Sequence, residues 1–256
     1  MKLTILGSGT SQGIPVIACN CPVCRSNNMH DKRLRSSAML DIHGKKIIID
    51  AGPDFRYQML RSKVQNIRAI LLTHGHKDHI GGLDDVRAFN WVQQGAVDVY
   101  GNEGTREVVY KDFSYAFAAY RYPGVPEIDY HIIDDQPFYI DDIRVVPIPV
   151  LHYKMPVLGF RIGNFAYITD AKTIPTSSLE RLEGVECLVI NALRKEIHLS
   201  HFNLEEALAV IAQIHPKRAF LTHIGHQMGL SQEVSKELPA HVKMAYDTLE
   251  VEIPDL

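Results

Sequence analysis

Leu71-Leu72-Thr73-His74-Gly75-His76-Lys77-Asp78-His79-Ile80-Gly81-Gly82 puts three histidines and an aspartate within six residues, directly after the apolar run Ile67 to Leu72. The apolar run reads as a buried strand, and the glycine-flanked polar cluster as the loop at its C-terminal end, with a helix to follow. Neutral imidazole and carboxylate suit zinc, manganese and iron. Four such groups so close together cannot easily aim at one ion. His74 and His76 alternate along an extended segment, whereas Asp78 and His79 stand at the helix entrance and are free to serve a second ion. The stretch is therefore a metal site, and more than one cation is expected at it.

The same pattern, an apolar run closing on a ligand, returns three times. Val145-Val146-Pro147-Ile148-Pro149-Val150-Leu151-His152 ends on a histidine, Phe165-Ala166-Tyr167-Ile168-Thr169-Asp170-Ala171 on a carboxylate, and Arg218-Ala219-Phe220-Leu221-Thr222-His223 on another histidine. His152 is read as the third ligand of the ion held by His74 and His76, and His223 as completing the set of Asp78 and His79. Ile47-Ile48-Ile49-Asp50 ends a further strand on an aspartate, which reads equally as a strand-end cap or as a partner that orients a ligand imidazole.

H-x-H-x-D-H resembles the metallo-β-lactamase superfamily, and the resemblance runs along nearly the whole chain. It implies an α/β (α+β) fold, an αβ/βα four-layer sandwich with metals at one sheet edge, here as a single domain over 1–256. It also implies that Asp170 is the carboxylate shared by both ions, since two carboxylate oxygens can bridge where an imidazole cannot. The opening Gly7-Ser8-Gly9-Thr10-Ser11-Gln12-Gly13-Ile14-Pro15 matches neither nucleotide-binding glycine fingerprint and resembles the G-S-G-T-S-x-G-x-P loop of one branch, beside the active site. That loop, the cysteine triplet below, Asp84-Asp85-Val86-Arg87 and the His223-x-x-His226 tail occur together in the PhnP-like phosphodiesterases. By that resemblance the chain hydrolyses small, cyclic or nucleotide-like phosphodiesters by attack of a hydroxide bridging two zinc or manganese ions. Asp78 and His201 are the residues assigned to the chemistry. His201 is preferred over His198 as proton donor to the leaving group.

Cys19-Asn20-Cys21-Pro22-Val23-Cys24 is a separate constellation. Three thiolates at this spacing can wrap one tetrahedral zinc and need a fourth ligand, for which His226 is the candidate. A redox pair or free surface thiols are the other readings. Cys187 stands alone on an apolar strand, Glu186 to Asn191, and is read as buried and inert.

Bulk properties narrow the alternatives. The 256 residues carry 46% hydrophobic and 22% charged side chains with a formal net charge of −3, which gives no basic field for nucleic acid. No apolar run approaches the roughly 20 residues of a membrane span. Met1 to Leu6 leads straight into glycines as a first strand and not a signal, so a cytoplasmic protein is expected. A small phosphodiester is thus the expected partner, and neither membrane nor nucleic acid. A tRNA 3′-processing nuclease would share the ligands but brings a basic arm absent between the motifs. A protein like the B component of PQQ biosynthesis would share the cysteine motif and be a binding or oxidative component. A β-lactamase or thioesterase gives the cysteines no role. The aromatic run Phe113 to Pro123 is read as packing, a homodimer contact or a wall for a substrate ring.

Local expectations complete the reading. Strands are expected at Lys2–Leu6, Ser37–His43, Lys45–Asp50 and Val97–Tyr100. Helices are expected from Pro53 to about Arg61, over Gly82–Trp91, and over Glu103–Lys111. Short antiparallel strands are expected between Tyr130 and Ile168. Asn203 with Glu206 reads as a capping box for a helix to about Ile214, and Leu249–Ile253 as a closing strand.

Overall fold

A computed structural model describes residues 1–254; Asp255 and Leu256, the last two of the expected 1–256 unit, lie outside the described residues. The described chain forms two seven-stranded sheets. The first is built from β1 (Lys2–Gly7), β2 (Ser37–Ile42), β3 (Lys45–Ile49), β4 (Ala69–Leu71), β5 (Val97–Gly101) and β6 (Ile128–Ile132). The second comprises β7 (Phe138–Ile140), β8 (Ile143–His152), β9 (Met155–Ile162), β10 (Phe165–Ile168), β11 (Cys187–Asn191), β12 (Arg218–Thr222) and β13 (Val242–Met244). The last strand, β14 (Glu250–Glu252), returns to the first sheet and pairs with β1. The orders are β14-β1-β2-β3-β4-β5-β6 and β13-β12-β11-β10-β9-β8-β7.

Each sheet changes character midway. The pairs from β14 to β3 are antiparallel and those from β3 to β6 parallel. In the second sheet β7 to β10 are antiparallel and β10 to β13 parallel. Parallel neighbours require crossover connections, and helices such as Phe55–Arg61, Arg87–Gln93 and Leu204–Ile214 supply them. The sheets face one another through a core that includes Leu40, Ile47, Ile49, Phe160, Phe165, Tyr167 and Val189, all fully buried. Two further apolar layers join each sheet to its own helices. This is the expected αβ/βα sandwich, and the strands at its centre, such as β4, β10 and β11, are buried on both faces and read as uninterrupted apolar runs, whereas the edge strand β6 alternates.

The expected capping box is present: Asn203 Oδ1 accepts from the Glu206 N–H and Glu206 Oε2 from the Asn203 N–H. Three local expectations need correction. The 130–168 region is not wholly antiparallel, because β6 pairs parallel with β5 before the chain crosses to the second sheet. Gly82–Trp91 is not one helix; a 3-10 turn at Leu83–Val86 precedes the helix Arg87–Gln93. The helix after Pro53 begins at Phe55, with Asp54 at its N-cap in non-helical backbone and its carboxylate turned away to accept from the Arg35 N–H at 2.8 Å and pair with its guanidinium at 3.1 Å.

Candidate metal centre

The candidate ligands gather where strands end. Asp50 follows β3, His74 lies three residues beyond β4, His152 closes β8, Asp170 follows β10 by two residues and His223 follows β12 directly. The C-terminal ends of parallel strands are where open α/β sheets bind ligands, and here both sheets contribute. Asp50, Asp170 and His223 all hold left-handed backbone, with φ of 62°, 56° and 54°. Non-glycine residues adopt this region at a cost, and it concentrates at functional sites.

Asp50 organises the first set. Its carboxylate accepts from His79 Nδ1 at 2.6 Å, from the Thr73 N–H at 2.8 Å and from the Thr73 hydroxyl at 2.9 and 3.0 Å. With its hydrogen so used, Thr73 Oγ1 accepts from His74 Nδ1 at 3.0 Å. Both imidazoles therefore carry hydrogen on Nδ1 and turn Nε2 toward the centre. Those two Nε2 atoms are buried and have no hydrogen-bond partner. His79 Nε2 nevertheless lies 3.1 Å from Asp78 Oδ2 and 3.4 Å from Asp170 Oδ2, and His74 Nε2 lies 3.6 Å from Asp170 Oδ2. Nitrogens and carboxylate oxygens crowded at this range call for positive charge among them, which a divalent cation, or a proton on His79, supplies. The donor set thus fits divalent metal.

The other candidate ligands close around the same point. His152 Nδ1 donates to the Ser200 carbonyl at 2.8 Å, which leaves its Nε2 as the free acceptor. His223 turns Nδ1 toward Asp170 Oδ1 at 3.0 Å and Nε2 toward the Thr10 hydroxyl at 3.2 Å, with Ser36 Oγ 3.1 Å from Nδ1. Three sets have donor atoms mutually within 4.8 Å: Asp78, His79, Asp170 and His223; His74, His76 and Asp170; and His152, Asp170 and His201. Asp170 belongs to all three. His152 joins the His76 side through its ring, 5.2 Å away. His201 packs 4.4 Å from the His152 ring and 4.9 Å from that of His223, whereas His198 stands behind it at 5.1 Å.

Electrostatics follow from the crowding. Burial works against charge on His79, yet Asp170, Asp50 and Asp78 together raise its pKa well above the ordinary imidazole range. Burial likewise works against Asp170, but His223 and His79 hold it well below the usual carboxylate range. His74, buried among imidazoles, is pushed well down. Burial and then His223 bring His201 down to about 3.

Close backbone approach makes glycine necessary beside the ligands: a Cβ on Gly52 would lie 2.0 Å from the Asp78 carbonyl. The opening glycine loop also packs here, with the Thr10 N–H donating to the Ile224 carbonyl at 3.1 Å and the Ile224 N–H to that of Ser8 at 3.0 Å.

The cysteine triplet converges with His226. Cys19, Cys21 and Cys24 Sγ lie 3.2, 3.4 and 3.5 Å from His226 Nδ1. The Val16 N–H donates to Cys24 Sγ and the Cys24 N–H to Cys21 Sγ, each at 3.4 Å. Burial opposes a thiolate at Cys21, but the Cys24 N–H, His226 and the neighbouring thiols bring it down to about 6, while burial pushes Cys24 up to about 11. Three sulfurs and one imidazole nitrogen so gathered are a four-donor set of the kind that suits tetrahedral zinc. Cys187 is fully buried, as expected.

The beta-lactamase superfamily domain model matches residues 45–224. A crystal structure of a diphosphatase from the PhnP family superposes with a TM-score of 0.92 at 38% identity, over 98% of this chain and 96% of that one. The chain belongs to the metallo-β-lactamase superfamily and, within it, to the PhnP family. Among curated proteins this PhnP-family chain is 40% identical to an octanoyltransferase of Porphyromonas gingivalis over 100% of its own length and 52% of that protein. It is 28% identical to ribonuclease Z of Nostoc punctiforme over 64% of its own length and 47% of that enzyme. It thus spans about half the length of the curated relatives it matches.

Thr73, Ser36 and the Ser200 carbonyl were not singled out from sequence. Thr73 carried one available signal, its place between an apolar strand and the first ligand. The Phe113–Pro123 segment turns out to be partly committed elsewhere: the Tyr115 hydroxyl donates to Asp84 Oδ1 at 2.5 Å and Phe117 stacks on Tyr110 at 3.9 Å.

Proposed function

We propose that this chain, a metal-dependent hydrolase by family and by donor set, hydrolyses small phosphodiesters at a dinuclear centre of zinc or manganese. One ion is held by His74, His76 and His152 and the other by Asp78, His79 and His223, with Asp170 common to both. The observation that carries this reading is the buried, unpartnered Nε2 of His74 and of His79, both facing the Asp170 carboxylate. Two divalent cations so held supply Lewis acidity toward a phosphoryl group and lower the pKa of water.

The remaining work belongs to side chains. Asp50 and Thr73 fix the tautomer and aim of His79 and His74. Asp78, beside His79 Nε2, would help hold the second ion and orient the attacking water. His201, packed between His152 and His223, gives the departing alkoxide its proton. Burial opposes a proton on His201 in the free protein, and a bound phosphodiester anion provides the compensating charge. Because both sheets contribute ligands, we read 1–256 as one hydrolase domain, with Cys19, Cys21, Cys24 and His226 holding a separate structural zinc. Uncrosslinked thiols fit a cytoplasmic setting, and among the described residues no helix is long and apolar enough to cross a membrane.

The related diphosphatase and ribonuclease Z names, each acting at phosphorus, support a phosphoryl substrate. The octanoyltransferase name belongs to a protein about twice as long and speaks for that whole. Turnover of 2′,3′- and 1,2-cyclic ribose phosphates and of linear dinucleotides by the metal-loaded protein tests the reading. Hydrolysis of at least one cyclic diester is expected; inertness toward the whole panel at full metal loading contradicts it.

A further inference from the structure

A cavity of about 500 Å³ lies at the far end of β8 from the metal centre, bounded by Pro137, Arg144, Val146, Arg161, Gly163 and Arg181. Alternate residues of a strand share a face, so Arg144 and Val146 point the same way from β8. Arg161 is the register partner of Val146 on β9 and points with them. Arg144 and His152 are eight residues apart on one strand, about 26 Å, farther than a small substrate reaches.

Three guanidinium groups therefore meet with little opposing charge. Arg161 is fixed by main chain alone: Nε donates to the Gly163 carbonyl at 3.0 Å, and one terminal nitrogen donates to the carbonyls of Arg181 at 2.6 Å and Glu183 at 2.8 Å. Its other terminal nitrogen makes none of these bonds. Arg181 pairs with Asp135 at 3.1 Å. Among the described residues no carboxylate lies within ion-pair distance of Arg144 or Arg161. Burial and then the Arg144 charge lower the Arg161 pKa, the mark of like charges held together. A fixed guanidinium with one terminal nitrogen uncommitted, beside a second, exposed guanidinium, suits the charge of a phosphate group, and Pro137 and Val146 offer an apolar wall beside it.

We propose that this cavity is a second ligand site, separate from the metal centre, that binds a small phosphate-bearing molecule with an apolar body through Arg144 and Arg161. Calorimetric titration of the metal-loaded full chain with phenylphosphonate tests it, alongside the Arg144→Glu, Arg161→Lys and His76→Ala variants. Arg144 is exposed and makes no bond the fold needs, so Arg144→Glu decides the matter even if Arg161→Lys fails to fold. Binding is expected to weaken about tenfold or more in Arg144→Glu, as for loss of a charge-assisted contact. Hydrolysis by that variant without the probe should be unchanged, and the same binding event should persist in His76→Ala. Wild-type affinity in Arg144→Glu, loss of all binding in His76→Ala, or no saturable binding by the wild type would each overturn the proposal.

Discussion

Asp50 Oδ2 lies 2.6 Å from His79 Nδ1, with both residues buried beneath the metal centre. The contact fixes which nitrogen of His79 faces the centre, and the same carboxylate reaches His74 through Thr73. One buried carboxylate thus orients two candidate ligands. Partners of this kind tune metal affinity by roughly 10–100-fold when replaced. Asp50→Asn is accordingly expected to lose metal to a chelator at concentrations about 10–100-fold lower than the wild type does. Metal retention after dialysis against graded chelator checks this, and unchanged retention would remove Asp50 from the account.

Asp170 lies in all three donor sets, and its left-handed backbone is one that asparagine also tolerates. Asp170→Asn should therefore fold while losing the bridging charge. Hydrolysis should fall to background and the circular-dichroism spectrum should match the wild type. Substantial retained turnover would contradict the shared-carboxylate assignment.

The thiolate site calls for the opposite pattern. Cys21→Ser removes one of four inward-facing donors, and a structural zinc contributes folding free energy. One zinc per chain should be lost and the thermal midpoint should drop, while the metal remaining at the dinuclear centre still supports turnover. A variant that keeps its full zinc content and midpoint would show that the cysteines hold no ion.

His201 packs against two ligand rings but its Nδ1 has no partner. As a proton donor it matters only where the leaving group needs one. His201→Ala should lose about 10²-fold or more on alkyl diesters and much less on a p-nitrophenyl diester. Equal losses on both would point to His201 as a ligand, in line with its donor atom lying within 4.8 Å of those of His152 and Asp170.

These outcomes also mark how far the chain could be read without its structure. The strand-end positions of the candidate ligands were legible because a polar residue closing an apolar run, as at His152, Asp170 and His223, stands out whether the strand is antiparallel, like β8, or parallel, like β12. The thiolate triplet and its distant partner His226 were legible from donor chemistry and spacing. Sheet membership was not: Ile128–Ile132 carries the same pattern as the antiparallel strands after it, and only the crossover to the second sheet separates them. Nor could the left-handed turns at Asp50, Asp170 and His223 be seen, because they are imposed by tertiary packing on residues that ordinarily avoid them. Thr73 and Ser36 escaped for a related reason, since a hydroxyl's role depends on which acceptors the fold sets around it.

The central claim is that seven side chains hold two ions for phosphodiester hydrolysis, apart from a third ion on the cysteines. It is tested most directly by counting metals per chain while following bis(p-nitrophenyl) phosphate turnover as zinc or manganese is titrated into protein stripped at the dinuclear site. Activity that rises with the two added equivalents, and saturates at three ions per chain in the wild type, is the predicted result. Full activity with the cysteine-bound ion alone, or none at three ions per chain, would contradict it.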